Sequence, residues 1–560
     1  MTRKIDSDAM DMLTRRKLLA SGVAVSSAVV AGCLDPADDP EDDAVDPDDD
    51  ADPADDDADP ADDDDEPVDD QLNVTQQVAP IEWDPIVAND AYSAQIYHTI
   101  YDGLYEYEVQ TIDPQPKLAA DAPEIENDGT RYIVPLREEP EFHDGTPVTA
   151  EDVIHTWTAP VEEETDNMPD VAMIESAEEI DEHTVQFDLE FPYGAFDDLT
   201  LVRYVVNAEA RQDDPDAYNT ENPIGSGPYQ FSDAEIGEFA DVELWDDYWD
   251  DDGPQIPSIR WEPAEDDAGR VSRMLARETD VMEGIPPADW EDIGAEDGIG
   301  IAETPDTGVF YLAFNCQEGP TEDPDVRRAI AHCHSTSDFV EGVIGEAGQH
   351  INYPVGPTIA EEWEFPVDEW MDMEYEFDPD GAQELLDGSD AIDEDDTLHF
   401  ISPPDDLRQQ WVELIADRLG EIGYDATVER LDWDTFTTAY TSGDADEFNA
   451  YSLGWTGGGD PDVYYYQLFH EDNAGVTQGH FYDDEGFHQN IADARESIDD
   501  DERRELYVEV TEEILEECVW IPGWNTDSAV AYDEERVENV MPDTTTSTTP
   551  RLDIPDTTLR

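Results

Sequence analysis

Apolar residues recur with helical spacing through the C-terminal half of the 560-residue chain. Between residues 407 and 422 they lie three or four positions apart, on one face of a predicted helix, at Leu407, Trp411, Leu414, Ile415, Leu419 and Ile422. Gly423 follows at the position where a residue in the left-handed conformation commonly ends a helix. The same reasoning predicts a second amphipathic helix over residues 501–518.

Short extended segments alternate with these helices. A further helix is predicted over residues 433–440, and Asp323 followed by Pro324 predicts the start of another, over residues 326–334. The predicted strands are 426–431, 449–453 and 519–522 in the C-terminal half, and 185–189, 242–245 and the region of Val134 in the N-terminal half. We therefore expect repeated α/β units in the second half of the chain and mixed sheets and helices in the first.

The N-terminus carries the features of an export signal. Arg15 and Arg16 precede an uncharged run over residues 18–32, which would span about 22 Å as a helix and is too short for a hydrocarbon core of about 30 Å. The paired arginines resemble a twin-arginine signal, and the small residues before Cys33 resemble a lipidation site. Residues 1–33 are therefore interpreted as a lipoprotein signal that leaves Cys33 lipid-anchored at the extracellular face of the membrane.

Residues 34–70 have a composition that cannot form a packed core. Residues 35–70 contain 22 acidic side chains and no basic one, with Ala and Pro making up most of the remainder. Self-repulsion and scattered prolines keep such a segment extended. We interpret it as a disordered tether between the anchor and a folded body.

The whole chain is strongly acidic, with 25 Lys and Arg residues against 148 Asp and Glu residues and a formal net charge of −123. This charge excludes nucleic acid as a partner, because binding to phosphates requires clustered cations. Like charges at this density oppose folding unless salt screens them, and the screening length falls to about 3 Å at 1 M salt. The acids are spread along the chain, which indicates an extreme halophile rather than a calcium-buffering protein.

Signatures of several enzyme classes are absent from the sequence. It contains no Gly-Lys-Ser/Thr, Gly-x-Ser-x-Gly or His-Glu-x-x-His motif. His332 and His334 lie two positions apart on a predicted helix and would point in different directions, so we do not expect them to bind a metal. If Cys33 is lipidated, three cysteines remain, which allow at most one disulfide bond: Cys316, Cys333 and Cys518. We expect no catalytic site, no metal and no cofactor.

Several short motifs follow one another in a fixed order between residues 72 and 540. Residues 142–153 read Phe-His-Asp-Gly-Thr-Pro-Val-Thr-Ala-Glu-Asp-Val. The other motifs are 100–104, 117–119, 225–229, Asn315 with 325–330, 454–455 and 460–462. In sequence and order they resemble the large solute-binding proteins of peptide-type ABC importers, here in a halophilic archaeal lipoprotein version.

The resemblance implies an α/β fold with two lobes, of the large periplasmic-binding-protein class with an extended first lobe and mixed sheets flanked by helices. It places the first lobe at residues 71–305, the second at 306–524, and a return to the first lobe with a C-terminal tail at 525–560. The implied function is capture of a peptide-like solute and its delivery to ABC permease subunits served by separate ATPase subunits. The chain would act as a monomer and would not be an enzyme.

Two charged anchors of the dipeptide branch of this family have no counterpart here. By alignment, the Asp that resembles a counter-ion for the ligand amino group falls at Gly458, and the Arg that meets the carboxylate falls near Ser402. Asp460 would substitute only with a shifted loop. Because a buried zwitterion needs both ends paired, a strict dipeptide clamp is disfavoured. Oligopeptides bound through their backbone and oligosaccharides stacked on aromatic rings stay open as ligands.

The resemblance also indicates where the ligand would bind. Trp455 and Asp460 belong to the motif that resembles the family's ligand-proximal loop, and Tyr464 and Trp433 lie near it in sequence. Tyr92 lies near the opening loop. These five are the predicted ligand contacts, because aromatic walls with a few polar groups suit a polar ligand. A lipid-anchored glycoside hydrolase acting through two carboxylates is the alternative function, and the absence of repeats argues against an adhesive envelope protein.

Overall fold

The computed structural model describes residues 3–4, 70–251, 253–393, 396–545 and 549–560. The predicted signal at 1–33, including Cys33, and the predicted tether at 34–70 lie outside the described residues, apart from Arg3, Lys4 and Asp70. No helix in the described part of the chain is long and apolar enough to span a membrane.

Strands occur along the whole described chain. They are β1 Arg3–Lys4, β2 Gln71–Gln76, β3 Tyr105–Tyr107, β4 Pro114–Pro116, β5 Glu124–Glu126, β6 Arg131–Pro135, β7 Ile174–Asp181, β8 Thr184–Leu189, β9 Tyr229–Glu235, β10 Phe239–Leu244, β11 Ser258–Pro263, β12 Val281–Glu283, β13 Ile299–Pro305, β14 Val309–Phe314, β15 Gly348–His350, β16 Thr397–Ser402, β17 Asp425–Arg430, β18 Ala450–Trp455, β19 Trp520–Asp533, β20 Val537–Glu538 and β21 Thr558–Leu559.

Helices alternate with the strands. They are α1 Ala91–Ile100, α2 Ala150–Glu163, α3 Ala208–Asp213, α4 Pro215–Thr220, α5 Asp267–Leu275, α6 Trp290–Gly294, α7 Pro324–His332, α8 Thr336–Phe339, α9 Pro357–Glu362, α10 Val367–Met371, α11 Pro379–Gly388, α12 Asp406–Glu421, α13 Trp433–Tyr440, α14 Asp462–Phe469, α15 Glu485–Glu496 and α16 Asp500–Glu516. Single 3-10 or π turns supplement them, among them the π turn Phe196–Thr200.

Two mixed sheets are linked through β19, and they form the two lobes. The sheet of the second lobe has the order β17-β16-β18-β14, and that of the first lobe has the order β12-β2-β11-β10-β9. A smaller sheet, β1-β7-β8-β6-β5, extends the first lobe and contacts helix α2. The predicted fold class, two lobes with mixed sheets flanked by helices, is confirmed.

The long strand β19 belongs to both lobes. Its first part, Trp520–Trp524, pairs antiparallel with β14, and its second part, Asp527–Asp533, pairs antiparallel with β13 and β12. The predicted strand at 519–522 was therefore much too short. The pattern did not indicate the continuation because most of its residues are buried and do not alternate with polar positions.

The other predicted elements of the C-terminal half are confirmed, with ends moved by one or two residues. Helix α7 begins after Asp323, whose carboxylate accepts a hydrogen bond from the Asp325 amide at 3.0 Å. Helix α12 covers the predicted apolar stripe, and Gly423 after it has a φ of +98°. These helices and strands could be predicted because the residues that define each of them lie close together in sequence.

The core of each lobe is rich in large aromatic side chains. Trp520 is 1 % exposed and stacks on Tyr311 with 3.4 Å between ring centroids, inside the second lobe. In the first lobe, Trp83 and Trp261 belong to a buried cluster that includes apolar residues of β2 and β11. Each such ring removes about 150–250 Å² from water, which compensates for the low overall apolar content.

Candidate functional site

Two chain segments connect the lobes and lie side by side. One is Asp306–Gly308, between β13 and β14, and the other is the middle of β19 at Asn525. The Asn525 side-chain amide donates to Asp306 Oδ1 at 2.6 Å and to the Gly308 carbonyl at 2.8 Å. The Gly308 amide also donates to Asp306 Oδ1, at 2.6 Å. We call Asp306–Gly308 together with Asn525 the hinge, because hydrogen bonds join both crossovers there.

The loop after β18, residues 456–459, packs against this hinge, and we call it the cleft loop. The Thr307 hydroxyl donates to the Gly457 carbonyl at 2.7 Å, and the Gly457 amide donates to the Tyr464 hydroxyl at 3.0 Å. The Tyr464 hydroxyl in turn donates to the Thr307 carbonyl. The Thr307 amide donates to the carbonyl of Thr544 at 3.2 Å. The hinge, the cleft loop and the C-terminal segment therefore converge.

A cavity of about 250 Å³ opens beside the cleft loop. The first lobe supplies most of its wall, from the 85–91 loop, helix α1, residues 167–170 and residues 202–204. Thr456 reaches it from the cleft loop and Thr545 from the C-terminal segment. We call this space the interlobe cavity, because segments from both sides of the hinge face it.

Three rings form one wall of the interlobe cavity. The ring centroids of Tyr97 and Tyr204 lie 5.6 Å apart, and those of His98 and Tyr204 lie 4.8 Å apart. Burial lowers the pKa of His98 to about 4, against the opposing effect of the Asp543 carboxylate. His98 is therefore neutral at neutral pH and contributes a flat ring rather than a charge.

The charged side chains at the interlobe cavity are Asp90, Asp170 and Arg203. Arg203 Nη1 lies 3.0 Å from Asp170 Oδ2, so these two charges form an ion pair. Asp90 caps helix α1, and its Oδ1 accepts hydrogen bonds from the amides of Tyr92 and Ser93 at 3.1 and 2.8 Å. The cavity thus combines an aromatic wall with a small number of charged groups, as ligand sites commonly do.

The lobes also touch along a line on which Tyr193 and Gly194 meet helices α14, α15 and α16. The Tyr193 hydroxyl donates to Asp462 Oδ2 at 3.1 Å, and Arg495 Nη1 donates to the same oxygen. The Arg495 guanidinium lies 4.6 Å from the centroid of the Tyr193 ring. We call this line the interlobe contact. An ion pair and a cation–π contact hold it together.

A fully buried ion pair lies directly behind the interlobe contact. Arg503 Nη2 donates to both oxygens of Asp460, at 2.6 and 2.8 Å, and both side chains are 0 % exposed. Arg503 Nη1 also donates to the Gly194 carbonyl at 3.2 Å, and the Gly194 amide donates to the Arg495 carbonyl at 2.9 Å. The pair therefore fixes the cleft loop and reaches across to the first lobe.

Two further carboxylates approach this pair from the first lobe. Burial raises the pKa of Asp197 to about 6, and the charges of Asp460 and Asp500 add to the shift while Arg503 opposes it. The pKa of Asp198 is raised well above its ordinary value, by burial first and then by Asp197. Arg503 is thus the positive charge that offsets several acids at the interlobe contact.

Among the five predicted ligand contacts, Trp455 and Tyr464 belong to the wall behind the cleft loop. Trp455 is 5 % exposed, and its indole Nε1 has no hydrogen-bond partner among the described residues. Tyr464 is fully buried and is held by Thr307 and Gly457, as described above. Thr456, next to Trp455, lines the interlobe cavity, whereas neither aromatic ring does. Their contact with a ligand stays a prediction.

The other three predicted contacts do not line the interlobe cavity either. The Asp460 carboxylate is occupied by Arg503. Tyr92 lies in the first turn of α1, half-buried, and its carbonyl accepts a hydrogen bond from Gln76 at 3.1 Å. Trp433 begins α13 and packs on Phe436 with 5.8 Å between ring centroids. None of the three lines the cavity, and their roles likewise stay predictions.

The two positions that align with the family's charged anchors carry no charge here. A Cβ atom on Gly458 would lie 2.6 Å from Leu199 Cδ2 and 3.3 Å from the Tyr107 hydroxyl, so a side chain there would require these two side chains to shift. Ser402 is fully buried, and its hydroxyl donates to the Pro403 carbonyl at 3.1 Å. Neither position therefore offers a charged side chain to a ligand.

Histidine and cysteine side chains do not form a metal centre in the described chain. His332 Nδ1 lies 2.7 Å from the Glu376 carbonyl, and the buried His334 ring contacts the Ile330 carbonyl and the Thr336 hydroxyl. Within the described ranges, no group of three or more His, Cys, Asp or Glu side chains is placed to hold a metal ion. Cys316, Cys333 and Cys518 are free thiols.

Sequence reasoning missed Arg503, Arg495 and the hinge residue Asn525. Basic residues are so scarce in this chain that each is a candidate for a buried ion pair, and this signal could have drawn attention to both arginines. Asn525 had no comparable signal, because its role depends on the approach of Asp306, which is 219 positions away in sequence.

Comparison with known proteins gives a family match over the middle of the chain. The model described as "Bacterial extracellular solute-binding proteins, family 5 Middle" matches residues 113–476. A dipeptide-binding protein of Escherichia coli K12 is 26% identical over 443 residues, which cover 73% of this chain and 80% of that protein. The glutathione-binding protein GsiB of Salmonella typhi is 24% identical over 461 residues, covering 78% and 86%.

A solved structure shares the fold. The periplasmic binding protein DppA of Helicobacter pylori, in complex with the peptide STSA, superposes with a TM-score of 0.69 at 21% identity. The superposition covers 87% of this chain and 98% of that one. At this identity the match supports the two-lobed architecture described above.

Proposed function

The chain belongs to family 5 of the bacterial extracellular solute-binding proteins, and from this we propose that it captures a peptide-like solute between its lobes for delivery to a membrane permease. The observation that carries the proposal is the interlobe cavity, which lies beside the hinge and is lined from both sides of it. A partly open cavity at a two-segment hinge suits a binding protein that opens and closes.

Closure would depend on contacts that a solute makes only when both lobes surround it. A ligand shifts the population of open and closed forms by its difference in affinity for the two. Here the first lobe would supply most of the contacts, and Thr456 of the cleft loop would complete them on closure. The interlobe contact at Tyr193 and Gly194 would then stabilise the closed form.

We also infer that the solute is released unchanged. The relatives named above are described as binding proteins, not as enzymes. Hydrolysis and ATP-driven transport would be the work of other proteins, namely the permease and its ATPase subunits.

Ligand-induced stabilisation of the whole chain in molar KCl tests the function. A binding dipeptide or tripeptide at about 100 times its Kd should add about 2.7 kcal/mol of stability, which raises the melting temperature of a body of this size by about 2–3 °C. A trisaccharide serves as the matched control for the oligosaccharide alternative, and mass spectrometry of the recovered peptide tests for hydrolysis. A shift with the trisaccharide alone, or conversion of the peptide, would contradict the proposal.

The same melting curve in dilute buffer should lose its cooperativity if the protein is halophilic.

We further propose that the protein is a monomer, lipid-anchored at Cys33 on the extracellular face of the membrane of a halophile. The paired arginines, the uncharged run and the acidic tether support this proposal at the level of sequence. Replacement of Cys33→Ala should move the protein from the membrane fraction to the medium, while Cys316→Ala should leave it anchored. Equal partition of both variants into the membrane fraction would argue against lipidation at Cys33.

A further inference from the structure

The small sheet of the first lobe has two edges of different length. Its order is β1-β7-β8-β6-β5, so among the described residues β5 forms one edge, and β7 would form the other without the two residues of β1. Strand β7 has eight residues, whereas β5 has three. A long edge strand offers a row of backbone N–H and C=O groups to any extended chain that approaches it. Strand β7 is therefore the edge of this sheet that is better suited to pair with another segment.

Irregular pairing confines the regular part of β7 to its middle. The register of β7 against β8 shifts between Ile174 and Ser176, and again between Glu179 and Asp181. Such irregularities bend and twist an edge strand, which hinders the addition of a further strand there. Residues 176–179 lie between the two shifts and pair with β8 in unbroken register. We call these four residues the β7 edge.

The start of the chain occupies half of the β7 edge. Strand β1 runs antiparallel to β7, with Arg3 opposite Ala177 and Lys4 opposite Ser176. Both of these β7 residues are buried, at 0 % exposure for Ala177 and 7 % for Ser176. Residues 5–69 would span about 200 Å if fully extended, so the chain is long enough for its start to return to the first lobe.

The charges of the two segments are complementary. Residues 1–5 contain two basic residues and no acidic one, in a chain that has 25 basic residues against 148 acidic ones. Strand β7 contains no basic residue and four acidic ones, Glu175, Glu178, Glu179 and Asp181. Opposite charges on neighbouring strands stabilise their pairing, and like charges destabilise it. Most other segments of this acidic chain would therefore pair with β7 less favourably than its first residues do.

We propose that the β7 edge is a docking site for the first residues of the unprocessed chain, which add to it as an extended basic strand until the signal is removed. The β7–β8 pair must form before it presents this edge, so docking ties the signal to a first lobe that has already folded. Removal of residues 1–33 would leave the edge open, and the acidic residues of β7 would then oppose pairing between copies. Docking does not involve the solute, so it goes beyond the proposed function. Its removal step rests on the proposed signal.

Disulfide trapping in the whole chain tests where the first residues lie. Every variant carries Cys33→Ser, which removes the proposed lipidation site, and oxidised glutathione is the oxidant. Lys4→Cys with Ser176→Cys should form a disulfide, because facing residues of antiparallel strands have Cα atoms about 4.5–5.5 Å apart, which suits the bond. Mass spectrometry of the linked peptides measures the yield.

Lys4→Cys with Ile125→Cys, on β5, is the matched control. Ile125 is exposed at the opposite edge of the same sheet, and it is closer to Lys4 in sequence than Ser176 is. Loop-closure entropy would therefore favour the control if the first residues moved at random. We expect about tenfold less disulfide in the control than in the pair with Ser176→Cys.

Hydrogen exchange in the whole chain tests the backbone pairing. Arg3→Pro with Lys4→Pro removes two successive amides, one of which faces β7, because neighbouring backbone groups of a strand point to opposite sides. At least one amide within residues 175–178 should then exchange about tenfold faster. Arg15→Pro with Arg16→Pro removes two amides and two charges from the same signal beyond β1, and should leave this exchange unchanged.

Each outcome of the two experiments bears on the docking alone. Preferential trapping at Ser176, together with faster exchange in Arg3→Pro with Lys4→Pro only, would support the inference. Equal trapping at Ser176 and Ile125, unchanged exchange in that variant, or equally faster exchange in the Arg15 and Arg16 control would overturn it. Neither measurement uses a solute, so failure of the docking leaves peptide capture standing, and failure of peptide capture leaves the docking standing.

Discussion

Replacement of Asp460→Ala should destabilise the protein by about 3–5 kcal/mol, because it leaves the Arg503 guanidinium buried without its counter-ion. Both side chains are 0 % exposed, and the two bonds between them are 2.6 and 2.8 Å long. Urea unfolding in molar KCl, followed by tryptophan fluorescence, measures the loss as a lower denaturation midpoint.

Two further variants distinguish this effect from a general loss of charge. Asp500 also lies near Arg503, at 3.5 Å, but it is 78% exposed, so Asp500→Ala should change the stability by no more than about 0.5 kcal/mol. The double variant Asp460→Ala with Arg503→Met removes both charges and should recover much of the lost stability. If Asp460→Ala is as stable as the unmodified protein, Arg503 does not depend on this carboxylate.

Replacement of Gly194→Ala should weaken solute binding at least tenfold while each lobe stays folded. A Cβ atom there would overlap the Ser497 backbone carbonyl and lie 2.8 Å from Arg503 Nε. Relief of the overlap requires the lobes to separate, so the substitution destabilises the closed form. A tenfold loss of affinity corresponds to about 1.4 kcal/mol of closure free energy. Calorimetry with the best peptide found measures the affinity, and X-ray scattering should detect a larger radius of gyration at saturating ligand.

Gly420→Ala provides the control for this prediction. No heavy atom lies within 4 Å of a Cβ atom built on Gly420, which belongs to helix α12, so the substitution should leave affinity unchanged and stabilise slightly. If Gly194→Ala binds peptide as tightly as Gly420→Ala does, closure does not use the interlobe contact.

The sequence allowed the fold to be predicted far better than the site. Helices such as α7 and α12 depend on local signals, namely the Asp323 cap and the stripe that ends before Gly423. The two-lobed architecture was predicted from the order of the motifs. The second half of β19 was not predicted, because a buried strand shared by two sheets does not alternate between apolar and polar residues.

The site depends on contacts between residues that are distant in sequence. Arg503 pairs with Asp460 across 43 positions, and Asn525 meets Asp306 across 219. Neither partner can be chosen from a sequence with 148 acidic residues, because almost any of them could fill the role. Resemblance drew attention to the loop that follows Trp455, but it could not indicate that this loop packs against Leu199 at Gly458.

The position of β19 in the chain has a consequence for biosynthesis. Both lobes take a strand from residues 520–533, so neither sheet is complete until the ribosome has made nearly all of the 560 residues. The lobes therefore cannot mature one after the other as the polypeptide emerges. The last step of folding therefore joins the two lobes, once β19 has been made.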